Sequence, residues 1–131
     1  MDMSMYDLTG KVAIITGSTR GIGNAIAKLM ADHGAAVVIT GRKQEACDKV
    51  AEEIKAAGGK ALGVATDVTS AEARQNLVSK TVETFGHIDI LVNNAGTGGQ
   101  PRKMVDMDED YFDHYVQADY KALYFMSQAV A

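Results

Sequence analysis

The first chemical signal in the chain is the run Thr16-Gly17-Ser18-Thr19-Arg20-Gly21-Ile22-Gly23. Glycines spaced Gly-x-x-x-Gly-x-Gly let a backbone turn tightly and bring its N–H groups against an anion. No Gly-Lys-Ser/Thr follows, which excludes a Walker-type phosphate loop, and the spacing also differs from Gly-x-Gly-x-x-Gly. Two further clusters, Asp67-Val68 and Asn93-Asn94-Ala95-Gly96, close apolar runs farther along. Each has a plainer reading: a tight strand-to-helix turn for the glycines, a helix first-turn charge for Asp67, turn formers for the asparagines.

The flanking patterns decide what positions these residues. Lys11-Val12-Ala13-Ile14-Ile15 reads as a buried strand, while Ile22, Ala25, Ile26, Leu29 and Met30 recur at helical spacing. Strand, glycine turn and helix together aim a helix N-terminus at a phosphate. Further strands are expected at 36–40, 61–65 and 88–93 after the first at 12–16, with helices at 22–33, 44–57 and 71–85. Thr69-Ser70-Ala71-Glu72 reads as a capping box with Thr69 as the cap. Gly34, Gly58 and Gly86 stand where helices end. The alternation predicts right-handed βαβ crossovers and a parallel sheet, and the order expected of that sheet is 3-2-1-4. The fold class is therefore α/β, a Rossmann-type three-layer αβα arrangement, truncated after the fourth strand and its following helix.

Pro101, the lone proline, falls in an irregular stretch at 97–105. A fourth helix is expected from 108 onward, with Phe112, Val116, Leu123, Met126 and Val130 as its apolar stripe. That pattern is unfinished at Ala131, so residues 1–131 read as one partial domain behind a tail at 1–9. A net charge of −4 and the lack of a basic run argue against nucleic acid or an anionic membrane as partner. With Cys47 as the single cysteine no internal disulfide forms, and with no leader-like or spanning segment the cytoplasm is the expected location. Cys47 is placed in an exposed-looking helix. His33, His87 and His114 show no metal-ligand spacing, and Asp106-Met107-Asp108-Glu109-Asp110 lacks the glycine of a calcium loop, so no metal is expected. Tyr111, Tyr115 and Tyr124 read as a packing or interface cluster.

With the glycine turn, Asp67-Val68 and Asn93-Asn94-Ala95-Gly96 in order at strand ends, the chain resembles the short-chain dehydrogenase/reductase family from about Leu8 to Ala131. The resemblance implies a nicotinamide dinucleotide cradled by Gly17, Ser18, Thr19, Arg20, Gly21, Ile22 and Gly23. It implies that the Asp67 carboxylate accepts from the adenine amino group and that the Val68 backbone touches the ring. Ala95 and Gly96 would lie against the nicotinamide ribose, with Asn93 partly scaffold. NAD-users of this type carry an acid at the end of the second strand, whereas that slot here reads Thr40-Gly41-Arg42. Arg42 and Arg20 are cations suited to a 2′-phosphate, so NADP(H) is expected over NAD(H). A methyltransferase-type domain is disfavoured because its Glu/Asp-x-Gly-x-Gly turn is absent.

The family transfers hydride between a carbonyl and an alcohol using a serine, a Tyr-x-x-x-Lys pair and a helix asparagine. No Tyr-x-x-x-Lys occurs in these 131 residues, and Asp119 occupies the asparagine slot, followed by Ala122 where relatives often carry glycine. Asp119 falls on the predicted apolar stripe and is expected to be partly buried. The resemblance implies a small-molecule substrate of the 3-oxoacyl-thioester reductase or sugar/polyol dehydrogenase type, and a homo-oligomer built partly by the last helix. The alternative is a non-catalytic dinucleotide-binding module or assembly partner. Either way, 131 residues without the serine and the Tyr-x-x-x-Lys are expected to be inactive alone.

Overall fold

The computed structural model describes residues 2–96 and 101–131. A parallel sheet runs in the order β3-β2-β1-β4, with β1 at Val12–Ile15, β2 at Ala36–Gly41, β3 at Lys60–Ala65 and β4 at Ile90–Val92. This is the expected order. Side chains alternate across it: Ala13, Ile15, Val37 and Ile39 face α1 (Gly21–Asp32) and α2 (Gln44–Ala56). Ile14, Val38 and Val64 face α3 (Ala71–Phe85) and a C-terminal helix. Two helix-covered faces explain why β1 is apolar at every position. The helices α1, α2 and α3 give way at Gly34, Gly58 and Gly86, all at positive φ.

Several boundaries differ from the sequence reading, each for a local reason. β4 begins at Ile90 because the Asp89 carboxylate accepts the Val12 N–H at 2.8 Å, taking the place of a ladder carbonyl. The α3 cap is Ser70, whose Oγ accepts the Ala73 N–H at 3.2 Å, whereas the Thr69 hydroxyl turns back to Asp67 at 2.6 Å. On α1 the inward residues are Gly23 and Ala27, with Ile26 and Met30 half-buried; Ile22 is 75% and Leu29 60% exposed. Small residues face the sheet there because the helix axis lies close to it. Cys47 is fully buried on α2 with Val50, Ala51 and Ile54, at the i, i+3, i+4, i+7 positions of an inward face. The expected exposed thiol is thus a core residue.

Of the predicted irregular stretch, 97–100 lies outside the described residues, and Met104–Asp106 forms a 3-10 turn. The last helix is broken in register. α4 (Glu109–Tyr115) passes through a π turn (Val116–Lys121) into α5 (Ala122–Val130), and the Ala122 N–H donates to the Gln117 carbonyl. The widened turn shifts the helix phase. Ala118, Ala122 and Met126 are buried, while Phe112, Val116 and Leu123 of the predicted stripe are exposed. Asp119, expected to be partly buried, is exposed for the same reason.

Candidate active site

The glycine turn leaves β1 with Gly17 at φ +64° and enters α1 with Gly21 at φ +62°. The two tight glycines do different work from the third. A Cβ on Gly23 would stand 2.4 Å from the Gly17 carbonyl oxygen and 2.5 Å from Asn94 Nδ2, whereas one on Gly21 would meet open space. Gly23 therefore lets the protein close on itself, and Gly21 leaves room outside. Ser18 is buried and fastens the turn to β2: its Oγ donates to the Ile15 carbonyl at 2.7 Å and accepts the Thr40 N–H at 3.0 Å, and its N–H donates to the Thr40 carbonyl at 2.9 Å. The Thr19 methyl lies over Gly41, where a Cβ would be 2.9 Å away. Arg20 caps α1 with its side chain exposed, and beyond it stand the first helix N–H groups, which lack partners within the helix.

The neighbouring strand end is tied to this turn by two residues to which the sequence reading gave no such role. Thr16 Oγ1 accepts the N–H groups of Asn94 at 3.0 Å and Ala95 at 2.9 Å. Asn94 Nδ2 donates to the carbonyls of Thr16 at 3.1 Å and Gly17 at 3.0 Å. Asn93 points the other way and donates to Ser127 Oγ on α5 at 3.1 Å. Strand alternation was the signal that adjacent asparagines serve opposite sides. Asn93, Ala95 and Val68 converge with Thr16, Ala118 and Met126 around a cleft of about 10 Å³. The Asp119 carboxylate stands beside Gly96, its Oδ1 3.3 Å from where a Cβ would be.

On the β2–β3 side, Asp67 Oδ1 accepts from the Thr69 hydroxyl at 2.6 Å and the Thr69 N–H at 3.0 Å. Those bonds hold its carboxyl below the usual carboxylate range against the opposing effect of burial, with lesser help from the charges of Arg42 and Arg74. Arg74 was not foreseen. It is buried, donates to the Val68 carbonyl at 2.7 Å and lies 5.5 Å over the Phe125 ring, so it holds the Asp67–Val68 corner in place. An arginine at an inward position of α3, one turn before Leu77, was its only sequence trace. Arg42, Asp67 and Thr69 line one side of a concavity of about 560 Å³. Among the described residues, the buried Thr40 hydroxyl at the end of β2 has no hydrogen-bond partner.

All three motifs thus meet at the carboxyl edge of the sheet, where β1 separates β2 from β4. That is the switch point at which open α/β sheets bind ligands. The remaining signals lie elsewhere. His33 meets Tyr6 edge-on, and His87 contacts the Gly10 carbonyl and Asp89. The tyrosines split into Tyr111–Tyr115 and Tyr124–Phe125 pairs. Among the described residues no three His, Cys, Asp or Glu side chains could hold a metal ion.

A model of the short chain dehydrogenase family matches residues 11–131. The chain belongs to the short-chain dehydrogenase/reductase family. Tropinone reductase-like 3 of Erythroxylum coca is 40% identical over 122 residues, covering 93% of this chain and 47% of that one. A hydroxysteroid dehydrogenase structure from Escherichia coli superposes with a TM-score of 0.92 at 36% identity, over 98% of this chain and 54% of its own. A 7α-hydroxysteroid dehydrogenase complexed with NADH and 7-oxo glycochenodeoxycholic acid gives 0.92 at 36%, over 99% and 50%. The chain spans about half the length of these relatives. Short-chain dehydrogenases are oxidoreductases that bind NAD(P)(H). Among the described residues no helix is long and apolar enough to cross a membrane.

Proposed function

We propose that this chain is the cofactor-binding part of an NADP(H)-dependent short-chain dehydrogenase/reductase that interconverts a carbonyl and an alcohol. The observation that carries the cofactor choice is Arg42, which follows β2 directly and lines the concavity shared with Asp67. No carboxylate stands at the end of β2 to repel a 2′-phosphate, and a guanidinium is suited to grip one. The fit extends to the turn. Open space beside Gly21 and the start of α1 suit a pyrophosphate, while the buried contacts of Gly17, Ser18 and Gly23 keep the turn in shape. Thr19, Arg20 and Ile22 complete that rim. Asp67 and the Val68 backbone hold the adenine, and Asn93, Ala95 and Gly96 border the nicotinamide half. When bound, the cofactor supplies or accepts the hydride; these residues orient it.

Asp119 joins these residues near the reacting end, through its place beside Gly96 in the π turn. Such turns recur at functional sites. The substrate would be a small carbonyl or alcohol, of the 3-oxoacyl-thioester or sugar/polyol type or alicyclic as in the matched hydroxysteroid dehydrogenases. The location would be cytoplasmic and the assembly a homo-oligomer.

Arg42→Asp tests the cofactor choice by binding titrations with NADP+ and NAD+. The expected result is a fall in the NADP+:NAD+ affinity ratio of about tenfold or more, the worth of a charge-assisted bond; an unchanged ratio sinks it. A second reading, a dinucleotide-binding module that moves no hydride, is favoured by Asp119 in the slot where the family carries a helix asparagine. Loss of reduced-nicotinamide absorbance with a carbonyl panel, or its formation with an alcohol panel, by this chain alone would refute it.

A further inference from the structure

The concavity beside Arg42 has a second wall that no cofactor motif accounts for. Besides Arg42, Asp67 and Thr69 it is lined by Asp110, Asp113 and His114 of α4. Three carboxylates therefore border the space against one guanidinium. Helix chemistry explains part of this. Asp108 caps α4 by accepting the Tyr111 N–H at 2.7 Å, and Asp110 in the first turn favours the dipole. Asp113 lies a turn beyond, where that benefit has faded. The start of α4 is held in place by Arg102, which pairs with Asp108 at 3.5 Å and lies 4.3 Å over the Tyr111 ring. Its charge is thereby committed away from the concavity's lining.

We propose that Asp110 and Asp113 are specificity-determining residues that hold down affinity for the 2′-phosphorylated cofactor, as an electrostatic counterweight to Arg42. The proposal rests on the reading that Arg42 receives the 2′-phosphate. A phosphate group of nearly two negative charges feels both carboxylates within the shared concavity, whereas the uncharged ribose hydroxyl of NAD does not. The strength of NADP preference is thus set by α4 as well as by β2. The sequence hides this, because more than 60 residues separate Arg42 from Asp110.

The test is the Asp110→Asn/Asp113→Asn double variant, near-isosteric and exposed, titrated with NADP+ and with NAD+ at low and high salt. NADP+ should bind roughly fivefold tighter at low salt, with NAD+ changed less than about twofold and the gain shrinking as salt screens it. No change in NADP+ affinity, or an equal gain for both cofactors, overturns the proposal. Arg42→Ala, titrated alongside, separates the two ideas. If it lowers NADP+ affinity while the double variant is silent, only the α4 proposal fails. If it changes nothing, or the parent chain binds neither cofactor, the 2′-phosphate reading fails and the α4 proposal with it.

Discussion

The glycine turn and the β4–α5 flank meet at one sheet edge but are held by different means. In the turn, contacts are redundant: Ser18 engages both Ile15 and Thr40, Gly23 admits the Gly17 carbonyl, and Asn94 binds two carbonyls at once. In the flank, β4 is three residues long and half-buried, the helix is broken by a π turn, and Leu123 and Tyr124 are exposed. The glycine turn is thus clamped from both flanks, to β2 through Ser18 and to the end of β4 through Asn94. The β4 side leans on one threonine, two asparagines and a few apolar contacts.

The largest expected effect tests the redundancy of the turn. Gly23→Ala puts a Cβ against backbone that cannot withdraw and should cost about 3 kcal/mol in denaturant titration, with loss of dinucleotide binding. Gly21→Ala meets open space and pays only for its positive φ, about 1 kcal/mol. Equal costs would break the distinction between them. On the flank, Met126→Ala should cost about 3 kcal/mol in thermal melts and Leu123→Ala well under about 1 kcal/mol, since one is buried and the other exposed. The reverse ranking would restore an unbroken helix. Thr16→Val sharpens the comparison at its seam. It strands the N–H groups of Asn94 and Ala95, so about 2 kcal/mol is expected, with a larger proportional loss in cofactor affinity.

The smallest effect is electrostatic. The folded Asp67 carboxyl lies below its ordinary range, so its contribution to stability is present above that range and is lost as pH falls through the folded value. Thr69→Val removes the leading cause, the hydroxyl bond, and should move the Asp67 titration upward, followed by carboxyl NMR. Solvent exposure keeps the stability change small. An unmoved titration would transfer the effect to the Thr69 N–H bond, ahead of Arg42 and Arg74.

Much of the site was legible because its requirements are local. Gly17 and Gly21 need positive φ, and glycine at those positions announces it. Strands alternating with helices likewise leave few topologies, and β3-β2-β1-β4 was among them. What escaped were pairings between distant segments. Arg74 looks like an ordinary helix residue until the Val68 carbonyl is seen beneath it. Cys47 looked exposed until α2 was set on the sheet, where its neighbours push its thiol pKa up by burial.

By itself, the sequence determined the glycine turn, the strand–helix alternation and the cation after β2, because each follows from short-range sterics, periodicity or charge. Only the tertiary structure decided that Asn94 closes the turn while Asn93 serves α5, that the last helix slips its phase at Val116–Lys121, and that α4 brings two carboxylates into the concavity lined by Arg42. Those outcomes depend on distances between segments remote in the chain, which packing sets and local preference does not encode.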